Sequence, residues 1–203
     1  MAAEAPRILV VMALPAEGAG RFEAAGVDVL YTGVGKVNAA IALLRRLGEH
    51  RRAGAALPFV VNFGTAGSAR IAARSLVACR RFVDRDMDVA ALGFAPGETP
   101  FDALPPMLEF ASCFSDLSDA ICGSGDSFAT QAHPVACDVV DMEAYALAKV
   151  CLIEGAAFGC AKYVSDSADE NAAAHWRENV AGAADRFLSL YRELLKRTVA
   201  SRA

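Results

Sequence analysis

Apolar and polar positions change period along the chain in a regular way. Short apolar runs rich in β-branched residues alternate with longer stretches whose apolar positions recur every three or four residues. "RILVVMAL" reads as a first strand, and Pro15 just after it suits the first turn of a helix. "VDVLYTG" (Val27 to Gly33) is a second strand, and "KVNAAIALLRRLGEHRRAG" is a helix with Val37, Ala40, Ile41, Leu44 and Leu47 on one face. "LPFVVNFGTAGS" (Leu57 to Ser68) is a buried strand ending in small residues, and "SLVACRRFVDRDMDV" (Ser75 to Val89) alternates as another. Gly93 to Asp119 is rich in Pro, Asp and Ser without a period, which predicts loops and a short helix. "ICGSGDSFAT" and "CDVVDME" are further strands, followed by a helix from about Ala144 to Glu154 and the strand "FGCAKYVSD". A last helix, starting between Asp169 and Asn179, carries Val180, Ala184, Phe187, Leu188, Tyr191, Leu194 and Leu195 on one stripe. Strands alternating with amphipathic helices imply an α/β sheet with helices on both faces.

Composition narrows the class. The 203 residues can bury a full core as one domain, and at 55% hydrophobic and 22% charged they are richer in apolar side chains than an average soluble chain. No apolar run reaches the roughly 18 residues of a membrane span, so the excess predicts a large core plus a buried subunit interface. "MAAEAPRILVVMALPAE" has neither a basic n-region nor a cleavage site and is expected to be a strand rather than a signal peptide. The net charge is −4, and "RRLGEHRRAG" (Arg45 to Gly54) is the one basic cluster. It reads as a solvated helix end whose cations complement the helix dipole, with a nucleic-acid patch as the alternative. Six cysteines lack CxxC or Cys/His spacing, which fits a reduced, cytoplasmic protein. The three histidines form no ligand pair, so neither a metal nor a cofactor is expected.

In open α/β sheets ligands bind beyond the carboxyl ends of strands. The unusual residues fall there: Glu17, Gly64 to Ser68, Gly123 to Phe128, Asp141 to Glu143, and Ser165 to Asp169. "GVGKVNAA" (Gly33 to Ala40) is either a tight strand-to-helix turn or an anion cradle, since it lacks the third glycine of a dinucleotide fingerprint. "NFGTAGS" allows close packing or the close approach of a ligand. Phe128 is a core aromatic or a stacking face for a planar base. "VSDSAD" (Val164 to Asp169) offers helix caps, which account for one of its acids better than for two. Asp141 and Glu143, two residues apart in an apolar stretch, each need a partner, because a buried unpaired carboxylate costs several kcal/mol.

Taken together, "VVMALPAEG", "GVGKVNAA", "VNFGTAGS", "RDMDVAALGF", "GSGDSFAT", "VVDMEAYALAKVC" and "YVSDSAD" resemble the nucleoside phosphorylase/nucleosidase superfamily, and within it the methylthioadenosine/S-adenosylhomocysteine nucleosidases. The resemblance runs from Ile8 to about Asp169 and implies a three-layer αβα sandwich with a central mixed, twisted sheet. It implies hydrolysis of the N-glycosidic bond of a 5′-modified adenosine, with Glu17 activating water and Asp166 protonating the departing base. Ser165 would orient Asp166, Glu143 would bind the ribose hydroxyls, and Met142 would pack on the sugar. Phe128 would stack on the base and the backbone of Ala129 would contact it, with Thr65 and Gly67 lining the water and ribose side. Lys162 stands where many relatives have an arginine near the water. In the family a second subunit completes the site, so "DVAALGF", with Val89 and Leu92, would wall the 5′ pocket of a homodimeric partner. Asp141 receives no role from the match and is expected to be a structural acid held by a backbone amide or an arginine.

Residue types suit that chemistry. Breaking an N-glycosidic bond needs an acid for the leaving base and a carboxylate for the water. Burial at the end of an apolar strand favours the protonated form that the acid must take. Asn62 stands where phosphorylases of the superfamily place a phosphate-binding arginine, and Glu17 would repel a phosphate. A phosphate-dependent phosphorylase is the enzymatic alternative, and a non-catalytic nucleoside-binding protein on the same fold is the alternative from another class.

Overall fold

The computed structural model describes residues 7–129, 135–168 and 172–200. Strand β1 (Ile8–Met12) shows how the sequence dictates the layering. Leu9 and Val11 are buried in one apolar cluster, Val10 and Met12 in a second, so the strand has a core on each face. Short helices α1 (Pro15–Gly18) and α2 (Arg21–Ala24) follow, then β2 (Val29–Tyr31) and the long α3 (Lys36–Arg52). The chain continues through β3 (Phe59–Gly67), β4 (Leu76–Asp84), β5 (Met107–Glu109), β6 (Ser118–Ser124) and β7 (Val139–Asp141). It ends with α4 (Ala144–Glu154), β8 (Phe158–Asp166), α5 (Ala172–Asn179) and α6 (Ala184–Ala200).

Helices α3 and α4 pack on one face of the sheet through Ala39, Leu43, Leu47, Leu147 and Ala148. Helices α2 and α6 cover the other through Phe22, Phe187, Leu188 and Leu194, and Phe63 of β3 stacks on Phe187 with ring centroids 5.0 Å apart. This is the expected α/β sandwich around a mixed sheet. Within it five strands close into a ring: β3 is parallel to β8, β8 antiparallel to β4, β4 parallel to β6, β6 parallel to β7, and β7 antiparallel to β3. The two oppositely directed sets meet at their carboxyl ends, where Gly67 of β3 pairs with Val140 of β7. Glu17, Thr65, Gly67, Phe128, Asp141, Glu143, Ser165 and Asp166 converge on that meeting point for this reason.

Three expectations for the elements change. The strand expected over Ser75 to Val89 stops at Asp84, beyond which the chain turns through a 3₁₀ segment at Ala90–Leu92. The stretch from Gly93 to Asp119 holds a short strand, β5, hydrogen-bonded antiparallel to β4. The last helix is two helices separated by a 3₁₀ turn at Val180–Ala183, where Gly182 backs so closely on Tyr163 that a Cβ would sit 3.0 Å from its hydroxyl. Arg46 and Arg51 of the basic cluster pair with Asp28 and Glu154, as a solvated helix end requires. The six cysteines are unpaired. Among the described residues no helix is long and apolar enough to cross a membrane.

Candidate active site

A pocket of about 210 Å³, open to solvent, lies at the carboxyl ends of β3, β7 and β8. Helix α1 brings Glu17 to it. Pro15 opens that helix, and the carboxylate folds back to accept from the amides of Ala13 (3.0 Å) and Leu14 (3.1 Å) through Oε2. Its other oxygen accepts from the amide and hydroxyl of Thr65, at 2.8 and 3.1 Å. Glu17 is thereby fixed although only 4% exposed.

The end of β8 supplies Ser165 and Asp166. Ser165 Oγ donates to Asp166 Oδ2 at 2.8 Å, and the amide of Ala168 donates to Oδ1 at 3.0 Å. A bulge in the β3–β8 pairing at Ala66/Gly67 lets the carboxyl lie against Gly67, where a Cβ would come 2.5 Å from Asp166 Oδ1. Asp169, also expected here, and Thr130 of "GSGDSFAT" lie outside the described residues.

Glu143 sits between these arms at the start of α4. Its Oε1 accepts from the amide of Gly35 at 2.9 Å. Gly35 has φ of 99°, a conformation that glycine adopts freely and that points its N–H at the carboxylate. The "GVGKVNAA" turn is therefore both a tight turn and an anion cradle, and the anion it holds is the protein's own. Burial first, and the Asp141 charge next, push the Glu143 carboxyl up to about 7.

Asp141 has the partners it needs. Lys162 Nζ lies 2.8 Å from Oδ2, Ser124 Oγ donates to Oδ1 at 2.5 Å, and the amide of Ala144 donates to Oδ2 at 2.9 Å. Burial works to raise the Asp141 carboxyl, but Lys162 and the two hydrogen bonds outweigh it and hold it below the ordinary carboxylate range. Burial likewise works to strip Lys162 of its proton, and Asp141 outweighs that, keeping the ammonium well above the usual lysine range. The partner is a lysine and an amide, where an amide or an arginine was expected. Lys162 itself is not among the residues lining the pocket. It lies behind Gly64, at which a Cβ would meet Lys162 Nζ at 3.0 Å and Glu17 Oε1 at 3.1 Å.

Thr65, Gly67, Phe128, Ala129, Met142, Glu143, Ser165, Glu17 and Asp166 all line this one pocket. Phe128 stays 45% exposed, a ring face open to the cavity rather than sunk in the core. Val89 and Leu92 do not join them: they belong to the loop after β4, and Leu92 is 73% exposed.

A sequence model of the Phosphorylase superfamily matches residues 19–200. The chain belongs to the phosphorylase superfamily. A 5′-methylthioadenosine/S-adenosylhomocysteine nucleosidase of Geobacillus kaustophilus is 30% identical over 198 residues, covering 87% of this chain and 82% of the relative. Among solved structures, an S-adenosylhomocysteine nucleosidase of Streptococcus pyogenes superposes with a TM-score of 0.81 at 20% identity, over 97% of this chain and 99% of that one. A futalosine hydrolase mutant of Helicobacter pylori superposes with a TM-score of 0.76, also at 20% identity, over 97% and 99%. Within the superfamily this chain is an enzyme, a nucleosidase that hydrolyses N-glycosidic bonds.

Two residues of this phosphorylase-superfamily pocket escaped the sequence reading. Trp176, the one tryptophan of the chain, reaches the cavity from α5 and donates its indole N–H to Thr65 Oγ1 at 3.0 Å. Arg85 is 2% exposed, yet lines the pocket and donates to the carbonyls of Gly125 and Ser127 and to Ser127 Oγ, which shapes the turn before Phe128. Trp176 sits in no motif, and Arg85 opens the "RDMDVAALGF" segment with no role attached to it. Trp176 precedes the apolar stripe expected from Val180 onward, and Arg85 lay inside an expected strand.

Proposed function

We propose that this nucleosidase releases adenine from a 5′-modified adenosine: methylthioadenosine, S-adenosylhomocysteine or 5′-deoxyadenosine. The carrying observation is that Glu17 and Asp166 flank one strand end, Glu17 bonded to Thr65 and Asp166 packed on Gly67. Anchor points two residues apart on a strand are roughly 6–7 Å apart. That spacing leaves room for a water to attack the sugar while the base departs on the other side.

In this reading Asp166, oriented by Ser165, gives its proton to N7 of the purine as the C1′–N9 bond breaks. Glu17 takes a proton from the water whose oxygen bonds to C1′. Glu143 accepts hydrogen bonds from the ribose hydroxyls, Met142 packs on the sugar, Phe128 stacks on the base, and the Ala129 backbone reads its edge. The Geobacillus relative, a 5′-methylthioadenosine/S-adenosylhomocysteine nucleosidase, supports the adenosine class.

Water is favoured over phosphate by charge and by occupancy. Asn62 spends its amide on the carbonyls of Val11 and Phe63 and has none left for an anion. Arg85, the cation lining the pocket among the described residues, is engaged next to Phe128, at the base end. We further propose a homodimer in which Val89 and Leu92 wall the partner's 5′ pocket. Leu92 and the α3 stripe Val37, Ile41 and Leu44 are exposed apolar side chains, which supports such an interface.

Incubation in phosphate-free buffer with methylthioadenosine, S-adenosylhomocysteine, 5′-deoxyadenosine, adenosine and inosine tests this reading. Adenine release from the 5′-modified substrates is expected. Release that depends on added phosphate makes the enzyme a phosphorylase, and release from none of them ends the proposal. Asp166→Asn should keep affinity for a substrate analogue while kcat falls by about 10²–10⁴, the usual contribution of a general acid.

A further inference from the structure

We infer that Trp176 is a positioning residue for the water-activating carboxylate, acting through the Thr65 hydroxyl. This rests on the role proposed for Glu17. The chain of bonds runs from Trp176 Nε1 to Thr65 Oγ1 (3.0 Å) and on to Glu17 Oε1 (3.1 Å). An indole N–H can only donate and an ionised carboxylate can only accept, while a hydroxyl has one proton and two lone pairs. The direction is therefore fixed. Trp176 occupies one lone pair of Thr65, the Thr65 proton goes to Glu17, and a single lone pair is left facing the pocket. A water that donates to that lone pair is held beside the Glu17 carboxylate, whose own accepting positions are taken at rest by the amides of Ala13, Leu14 and Thr65 and by the Thr65 hydroxyl. Without the indole the hydroxyl has a second free lone pair, and the water has two orientations instead of one.

Helix α5 is placed to do this. Three residues after Trp176, and so on the same side of the helix, Asn179 Nδ2 donates to the carbonyl of Ser165 at 2.9 Å. One helix thus grips Thr65, on the Glu17 side, and Ser165, on the Asp166 side. A residue that served only as an apolar wall would need no acceptor for its N–H, and phenylalanine would do as well.

Trp176→Phe keeps the ring and removes the donor. Its kcat should fall by about tenfold, the scale of a hydrogen bond in a charged network. KM should stay within about twofold, the pattern of an interaction that matters in the transition state rather than in binding. In a Thr65→Val background the same change should cost nothing more, because the link is already cut. As the chain has one tryptophan, its indole N–H gives one resonance, and Thr65→Val should move that resonance upfield whether or not the protein turns over. Wild-type kcat in Trp176→Phe, a rise in KM alone, an equal further loss in the Thr65→Val background, or an unmoved resonance each overturns the inference. Losses in kcat, KM and Tm together assign Trp176 to packing and overturn it too. If the parent releases no base at all, the functional reading falls and the catalytic role with it, while the resonance still decides whether the bond exists.

Discussion

Asp141 and Glu143 are neighbours in sequence with opposite fates. Lys162 and two hydrogen bonds hold Asp141 ionised, so this buried acid is balanced inside the protein. Glu143 has one amide, from Gly35, and a negative neighbour, and its carboxyl is pushed up to about 7, by burial first and Asp141 second. The consequence for stability has a definite sign. The unfolded chain releases this proton near 4.5 and the folded one near 7, so between those values the folded state binds more protons. Stability from this group is greatest at low pH and is lost as pH rises through that window. Glu143→Gln removes the loss. Thermal unfolding without ligand should show the variant level with the parent near pH 5 and higher in Tm by about 2–4 °C or more near pH 8, the shift ~1 kcal/mol produces. Its catalysis should fall sharply at both. Equal Tm values near pH 8 count against the strained carboxyl. In the proposed reading a bound sugar supplies the donors that Glu143 lacks, and the residue would trade stability for binding.

At the scale of elements, the site depends on how β3 ends. Its last residues touch Glu17 through Thr65, Asp166 through Gly67, and β7 through the single Gly67–Val140 pair. Gly67→Ala places a methyl 2.5 Å from Asp166 Oδ1 and 3.1 Å from the Ala168 side chain. The Asp166 carboxyl must turn away, at a cost of about 1–3 kcal/mol in stability. Steady-state kinetics should show kcat down by about a hundredfold or more, since the acid leaves its hydrogen-bonding position. Near-normal kcat in a folded Gly67→Ala protein contradicts the placement of Asp166. Elements with a clean local pattern were legible in the sequence: α4 and β8 begin and end where the apolar runs and their flanking Gly and Asp residues put them. β5 was not, because three residues carry no period and their hydrogen bonds come from β4. The break between α5 and α6 was not either, because the apolar stripe runs on through Val180 and only the contact with Tyr163 makes Gly182 a turn.

For the whole molecule, the apolar excess exceeds what one core absorbs. Val37, Ile41 and Leu44 follow helical spacing yet lie on the exposed side of α3, while Ala39, Leu43 and Leu47 face the core. A helix apolar on two sides has two surfaces to bury. Sedimentation of the full chain should therefore give a dimer, and Leu92→Asp should weaken it. The same variant should raise KM for methylthioadenosine by about tenfold, the scale of a lost apolar contact in a substrate pocket. A monomer with full activity excludes the shared pocket.

The sequence by itself determined the alternation of strands and helices, the two-sided burial of the sheet, and the identity of the acids at the strand ends, because each is written in local period or in a compact motif. Tertiary structure alone decided which charges meet. Lys162 and Asp141 are 21 positions apart, and Trp176 and Thr65 are 111 apart. The parallel pairing of β3 with β8 sets Lys162 beside Gly64, and the closure of five strands into a ring brings the ends of β3, β7 and β8 to one point. Pairings of that kind depend on distances across the folded core, which no period along the chain encodes.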